Sequence, residues 1–253
     1  MASPQRRRAA LTPPPEASAL AATVELHLDA LFERAAAGLI LRTRASVRPP
    51  PRIHLVRTIE GNRWLLSAAL PLAARASLDS LLAAEPVTGS IEAMEHRPPA
   101  CREAVFALLA ESRPPTDEYR GPAFTFPASL PASAQPIELL PIPEAARPHP
   151  DIAWLASFVD TDRPVVVARD ADGSSVALCH SARIGPASAE AGLEVVEAYR
   201  RRGLARAVTL GWAEAIRVAG RVPLYGTWWG NEASRATARS LDLVPYAEDW
   251  HVD

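Results

Sequence analysis

The sequence predicts an α+β protein, in which a larger region of alternating helices and strands is preceded by a smaller α+β region. Three observations predict this class. Hydrophobic residues make up 48% and charged residues 22% of the 253 residues, a composition that can bury a sizeable core. Segments with the apolar period of a helix alternate with short valine-rich runs typical of strands. In the second half the predicted order is helix, three strands, helix, strand, helix, strand.

The N-terminal half begins with a proline-flanked segment, residues 1–19, for which we expect a flexible tail. A helical stripe then runs from Leu20 through Val24 and Leu28 to Ala35 and is expected to end near Gly38. Residues 52–58 and 63–68 read as two strands around a turn at Gly61. Helices are predicted over residues 72–84 and 101–111, so residues 20–135 form the expected N-terminal α+β domain of unknown role.

Eight prolines fall between residues 122 and 150. Because proline lacks a backbone donor, this stretch is expected to form neither a long helix nor a central strand. It is interpreted as a connector, with a short strand over residues 137–140, and the domain boundary is placed near residue 135. The second domain, residues 136–253, begins with a helix over residues 151–159.

The remaining elements of the second domain are predicted from local patterns. Strands are expected over residues 164–169, 174–184 and 189–196, the first two joined by a turn at Gly173. An amphipathic helix follows over residues 204–219, with Val208, Trp212 and Ile216 on one face. A strand over 223–227, a helix over 231–240 and a last strand region over 243–252 complete the domain.

Charge and composition exclude several classes of protein. All 27 cationic residues are arginine and the net charge is −2, which argues against a dedicated nucleic-acid binder. No apolar run is long enough to span a membrane. Two separated cysteines, Cys101 and Cys179, favour a reducing cytoplasm, and six scattered histidines favour no metal site. The absence of lysine is typical of a GC-rich bacterial genome.

One segment carries the chemistry: the strand over residues 189–196 leads through a tight basic loop directly into a helix. Backbone N–H groups at a helix start lack internal partners and lie at the positive end of the helix dipole, so they form an anion site. Gly203 and Ala205 let phosphates approach the backbone, and the arginines of the loop add positive charge. A solvated charge run is the alternative interpretation.

This loop resembles the signature of the GNAT superfamily of N-acetyltransferases, as Arg200-x-x-Gly203-x-Ala205. Downstream, Asn231-x-x-Ser234 followed by Leu241-Asp242-Leu243 is similar to the asparagine helix and turn of that family. The element order of the second half is also similar, and the resemblance implies a mixed, mostly antiparallel sheet flanked by helices. The likeness of the N-terminal half, carried by residues 28–33 and 57–64, is weaker and suggests a bacterial group with an extra N-terminal region.

The resemblance implies an enzyme that transfers the acetyl group of acetyl-CoA to a primary amine of a small molecule or protein by direct attack. It implies that the cofactor-binding residues are Val195, Val196, Arg200, Arg201, Arg202, Gly203, Leu204, Ala205, Asn231 and Ser234. The expected partners are acetyl-CoA and an unidentified amine, with no nucleic acid and no membrane. The N-terminal domain could shape the acceptor site, bind a regulator or mediate a homodimer.

Strand alternation places Glu190 and Glu194 on one face. The resemblance implies a general base on this strand at the depth of Glu190, which makes Glu190 the preferred base and Glu194 the second candidate. Either could instead pair with an arginine such as Arg183. The family's acidic tyrosine position holds Ala238 here, so Tyr246, Tyr225 or Ser234 are the substitutes for protonating the thiolate. The departure at Ala238 keeps a second hypothesis open, a non-catalytic acyl-CoA-binding or interaction module.

Overall fold

A computed structural model describes residues 18–44, 49–131, 133, 135–140, 147–157 and 165–253, without the side chains of residues 155–157. The helices are α1 Ala19–Leu31, α2 Leu72–Ala83, α3 Ile91–Glu95, α4 Arg102–Ala110, α5 Leu204–Val218 and α6 Glu232–Ser240. The strands are β1 Phe32–Arg34, β2 Ile40–Thr43, β3 Ile53–Arg57, β4 Asn62–Leu66, β5 Glu118–Thr125, β6 Glu138–Leu140, β7 Val165–Arg169, β8 Ser175–Ile184, β9 Ser188–Val195, β10 Val222–Gly226 and β11 Val244–Val252.

Nine of these strands form one sheet in the order β4-β3-β11-β5-β10-β9-β8-β7-β6. Only the contact between β9 and β10 is parallel, and every other pairing in the sheet is antiparallel. The mixed, mostly antiparallel sheet flanked by helices confirms the predicted fold class. The predicted hairpin of the N-terminal half and the strands and helices from residue 165 onward are also confirmed, with shifts of one or two residues at their ends.

The sheet does not divide near residue 135, where the domain boundary was expected. Strand β5 precedes that position in the chain, yet it lies between β11 and β10 of the second half. Strands β3 and β4 extend the same sheet through β11. The two halves therefore share one sheet. Of the expected tail, residues 1–17 lie outside the described residues, and Ser18 caps α1 by accepting from the Ala21 N–H at 3.0 Å.

Strand β5 corrects the expectation that the proline-rich stretch contains no central strand. Pro122 pairs with Glu248 of β11, and its carbonyl accepts a hydrogen bond from the Thr227 N–H at 3.3 Å. In an extended strand the nitrogen of a residue points to the same side as its carbonyl. The side of Pro122 that lacks an N–H donor therefore faces Thr227, just past the end of β10 at Gly226. No hydrogen bond to β11 is lost.

Two predicted helices are shorter than expected. Helix α1 ends at Leu31 because Phe32 adopts extended dihedral angles and begins β1, which pairs with β2. The apolar pattern in the sequence extends past Leu31 because Phe32, although it belongs to β1, is also buried. The segment expected as a helix over residues 151–159 is a 3₁₀ segment, Pro150–Ser157, with Ile152 buried; residues 158–160 lie outside the described residues.

Helices cover both faces of the sheet, as an α+β layer fold requires. On one face, Val24 and Leu28 of α1 pack with Val56, Leu224 and Tyr246. On the other face, the apolar stripe of α5 packs against the alanines of β9, in a cluster that contains Ala189, Ala191, Val208, Trp212 and Ile216. None of the helices in the described part of the chain has the length and apolar composition needed to cross a bilayer.

Candidate active site at the divergence of two strands

Strands β9 and β10 pair at their start and then separate. Their parallel register runs from Ser188 opposite Val222 to Glu190 opposite Leu224, but β9 continues to Val195 beside β8. Strand β10 instead stays with β5 as far as Gly226. Beyond Glu190, the edge of β9 that faces β10 has no strand partner among the described residues. An extended ligand can therefore add to this edge through main-chain hydrogen bonds.

The loop after β9 has two residues in the left-handed backbone region. Arg201 has φ +61° and Gly203 has φ +81°. Gly203 is the N-cap of α5, and no side chain caps this helix. Within the described chain, no group accepts a hydrogen bond from the N–H groups of residues 202–206. The loop thus presents several donors at the positive end of the α5 dipole, as the sequence predicts.

A cleft of about 950 Å³ joins the open edge of β9 to this loop and to α6. It brings together most of the predicted cofactor-binding residues. Its lining includes Glu194, Val195, Arg200, Arg201, Gly203, Leu204, Ala205, Asn231 and Ser234. A volume of this size is in the range of small-molecule and cofactor sites.

Two of the predicted cofactor-binding residues do not line the cleft. Val196 is buried against Ile152 and Val167, and its N–H donates to the Val176 carbonyl at 2.9 Å, on the β8 side. Arg202 turns back over the ring of Tyr199 and donates to the Ala198 carbonyl at 3.0 Å. The sequence could not show either contact, because the side chains of an irregular loop do not alternate between two faces as those of a strand do.

The start of α6 is organised by two hydrogen bonds. Asn231 caps the helix by accepting from the Ser234 N–H at 3.1 Å, and the Ser234 hydroxyl lies 2.5 Å from the Tyr225 hydroxyl. Burial raises the pKa of Tyr225 to about 12, so this phenol keeps its proton at neutral pH. Ala238, at the position of the family tyrosine, is buried and offers no hydroxyl.

Glu190 and Glu194 lie on the face of β9 opposite Ala189 and Ala191, as the alternation predicts. Glu194 lines the cleft, and burial raises the pKa of its carboxyl against the lowering effect of Arg200. Glu190 does not line the cleft. It marks the last paired position before the strands separate, and a Cβ added at Gly226 would lie 3.6 Å from its carboxyl carbon.

The partner of Glu190 is His27 of α1, whose Nε2 lies 3.5 Å from Glu190 Oε2. Arg183 is the cross-strand neighbour of Glu190, but its guanidinium donates to the Ala182 carbonyl. The pairing with arginine that the sequence left open is therefore absent from the described part of the chain. The Glu190 side chain is 19% exposed, so it is not fully buried.

Sequence reasoning missed the buried polar group behind Glu190. His27 Nε2 is also 3.3 Å from Asp249 Oδ2, and Asp249 Oδ1 is 3.3 Å from His54 Nε2. Tyr246 joins the same group, with its hydroxyl 2.7 Å from His27 Nδ1. Its hydroxyl is thus buried behind Glu190 and outside the cleft, and burial raises its pKa well above the ordinary value. The only sequence signal was a histidine on the apolar stripe of α1.

Within the residues described above, no three His, Cys, Asp or Glu side chains form a group that could hold a metal ion. The arrangement instead offers an anion-binding loop, an open strand edge, a carboxylate at the divergence and buried hydroxyl groups.

Comparisons with known proteins found no matching family model and no matching curated protein. Solved structures do match. A GCN5-related N-acetyltransferase-like protein from Streptococcus suis is 14% identical, with TM-score 0.48 over 81% of this chain and 85% of that chain. A GNAT-family acetyltransferase from Colwellia psychrerythraea is 10% identical, with TM-score 0.44 over 76% of each chain.

A GCN5-related N-acetyltransferase from Kribbella flavida is 23% identical, with TM-score 0.43 over 58% of this chain. That match spans 62% of the Kribbella flavida protein, less than two thirds of its length. The match to a GNAT-family protein from Novosphingobium aromaticivorans spans 65% of that protein, also less than two thirds. These structures carry the same family name as the resemblance in the loop and the asparagine helix.

Proposed function

We propose that this chain is a GNAT-type N-acetyltransferase that transfers the acetyl group of acetyl-CoA to a primary amine of a small molecule or a protein. The observation that carries the proposal is the cleft, in which an open strand edge runs into a loop of unpartnered backbone donors at a helix start. We further propose that the protein is bacterial and works in the cytoplasm, where its two buried thiols, Cys101 and Cys179, stay reduced.

The cleft fits the two chemically distinct parts of acetyl-CoA. The N–H groups of residues 202–206, with Arg200 and Arg201, would hold the pyrophosphate, since arginine stays charged and can grip phosphate bidentately. The edge of β9 between Leu193 and Val195 would hold the amides of the pantetheine arm. Asn231 and Ser234 line the facing wall from α6.

When bound, acetyl-CoA supplies the activated acetyl group, on which the acceptor nitrogen forms its bond as the bond to sulfur breaks. Glu190 is proposed to take the proton that the acceptor ammonium must lose, because it stands at the divergence and is partly exposed. Glu194, which lines the cleft, is the second candidate. The Tyr225 hydroxyl, linked to Ser234 at the cleft wall, is proposed to protonate the leaving thiolate. Tyr246, the other tyrosine named for that role from the sequence, comes second because its hydroxyl lies on His27, outside the cleft.

A second function is favoured by one observation: the buried Ala238 leaves the usual position of the acid without a hydroxyl. A protein that binds acyl-CoA without catalysis would need the loop and the strand edge but no acid. Turnover separates the two proposals. Thiol release from acetyl-CoA, measured with a panel of amines, is expected for the enzyme; binding of acetyl-CoA without thiol release from any amine would favour the binding module.

The loop itself is tested by a charge-matched pair of variants. Arg201 lines the cleft, whereas Arg239 on α6 is exposed and does not. Arg201→Ala is expected to raise the Kd for acetyl-CoA about tenfold or more, the range of one charge-assisted hydrogen bond, while Arg239→Ala leaves it unchanged. Equal effects of the two variants would mean that the loop does not hold the phosphates.

A further inference from the structure

His27 is held on both sides of its ring, although it lies on α1, far in sequence from the rest of the site. It is 1% exposed. Its Nε2 faces two carboxylates, at 3.5 Å from Glu190 and 3.3 Å from Asp249. Its Nδ1 lies 2.7 Å from the Tyr246 hydroxyl. With partners at both nitrogens, the imidazole has one orientation. In that orientation its Nε2 faces the Glu190 carboxylate.

The charges favour a cationic imidazole between two anions. Burial by itself would lower the pKa of His27, but Asp249 and Glu190 outweigh it and the pKa is raised. Burial likewise would raise the pKa of Asp249, but His27 and His54 lower it. Asp249 is therefore a fixed carboxylate, and it anchors His27 from the side opposite Glu190.

We propose that His27 is a positioning residue for Glu190, so that helix α1 of the N-terminal part completes the active site. The inference rests on the proposed function, in which Glu190 accepts the proton of the acceptor amine. His27 Nε2 lies 3.5 Å from Oε2 of Glu190, so the imidazolium would hold that oxygen by ion pairing and leave Oε1 for the amine. A carboxylate held in this way keeps one direction, and a misplacement of about 1 Å can cost about 100-fold in rate.

The placement of the groups around His27 defines what its removal would change. Glu190 faces it from β9, and Asp249 and Tyr246 face it from β11. The groups that face Asp249 in turn are His54 from β3, His251 from β11 and, at the edge of the group, Tyr119 from β5. Removing His27 therefore leaves two carboxylates without the cation that separates them, which disfavours the ionised form of both.

The test compares His27→Gln with Val24→Ala in the full chain, using thiol release from acetyl-CoA with the best amine found for the wild type. Glutamine keeps a donor but cannot carry charge. We expect kcat to fall about 100-fold, the KM for acetyl-CoA to stay within about twofold, and the acidic limb of the rate profile to move to higher pH. Val24→Ala, a buried change one turn earlier on the same helix, is expected to lower Tm without moving that limb.

A second variant covers the case in which His27→Gln does not fold. Tyr246→Phe removes only the hydroxyl at Nδ1, and we expect a smaller fall in kcat with a movement of the acidic limb in the same direction. An unchanged kcat and pH profile in whichever variant folds would overturn the inference. The wild type distinguishes the two failures, because a wild type without turnover on any amine contradicts the proposed function and not the placement of His27.

Discussion

Glu190 and Leu224 are the last pair of residues at which β9 and β10 lie side by side. Past this pair, β9 follows β8 toward the loop of residues 200–203, and β10 follows β5 toward Gly226. The pair therefore fixes the apex of a wedge. One arm of the wedge is the open edge of β9, and Glu190 places a carboxylate at the apex itself.

The first prediction concerns Glu190 as the base. Glu190→Gln keeps the size and hydrogen-bonding groups of the side chain but cannot accept a proton at neutral pH. We expect kcat/KM to fall about 10²–10⁴-fold, the usual contribution of general base catalysis, and the Tm increase with acetyl-CoA to persist. Thiol-release kinetics and thermal denaturation measure the two quantities. Wild-type turnover in this variant would remove Glu190 from the mechanism and leave Glu194 as the base.

The second prediction separates stability from binding at Arg201. Its left-handed backbone, φ +61°, costs a non-glycine residue about 1–2 kcal/mol, and glycine would remove that cost against about 0.5–1 kcal/mol of chain entropy. Arg201→Gly is therefore expected to keep or raise the free energy of unfolding while weakening acetyl-CoA binding. Denaturant melts and titration calorimetry measure the two effects.

Arg239→Gly is the control for Arg201→Gly, because Arg239 on α6 does not line the cleft and its φ is not positive. It should destabilise the protein slightly and leave the Kd for acetyl-CoA nearly unchanged. Lower stability with undiminished binding in Arg201→Gly would contradict the account of the loop.

The third prediction assigns the acid that protonates the thiolate. Burial raises the pKa of Tyr225 to about 12, so its hydroxyl remains a donor across the physiological range. Tyr225→Phe is expected to lower kcat about tenfold or more, within the range of acid catalysis, with little change in the KM for acetyl-CoA. Full activity in Tyr225→Phe, together with a loss in Ser234→Ala, would move the role to the serine.

The fourth prediction follows from the raised pKa of His27. A group whose pKa is raised on folding stabilises the folded state fully below its unfolded pKa of about 6.5, and that stabilisation disappears as the pH rises through the folded value. The Tm difference between wild type and His27→Gln should therefore be larger at pH 6 than at pH 9. A difference that is constant with pH would show that the variant loses only packing.

The geometry of the strand, the loop and the helix start along the cleft could be predicted from sequence because these three elements are consecutive. The alternation of β9 alone places Glu190 and Glu194 on one face. The neighbours of Glu190 could not be predicted, because His27 meets it only through the packing of α1 on the sheet. The expectation of no central strand at Pro122 was wrong for a similar reason. Whether a central strand can contain this proline depends on where the neighbouring strand β10 ends.

The shared sheet was also invisible to local patterns. A proline-rich segment resembles a connector between domains, but its first proline, Pro122, already lies in β5 inside the sheet. Only the register of β5 with β11 and β10 shows this placement. As a consequence, α1 brings His27 beside Glu190, and β3 and β5 belong to the same sheet as β9 and β10.

Binding of acetyl-CoA in the cleft is measured most directly by thermal denaturation of the full chain with and without acetyl-CoA. A ligand at 100 times its Kd stabilises the folded state by about 2.7 kcal/mol, so a clear rise in Tm is expected at millimolar acetyl-CoA, and a smaller one in Arg201→Ala. No rise in the wild type at millimolar acetyl-CoA would contradict the central claim.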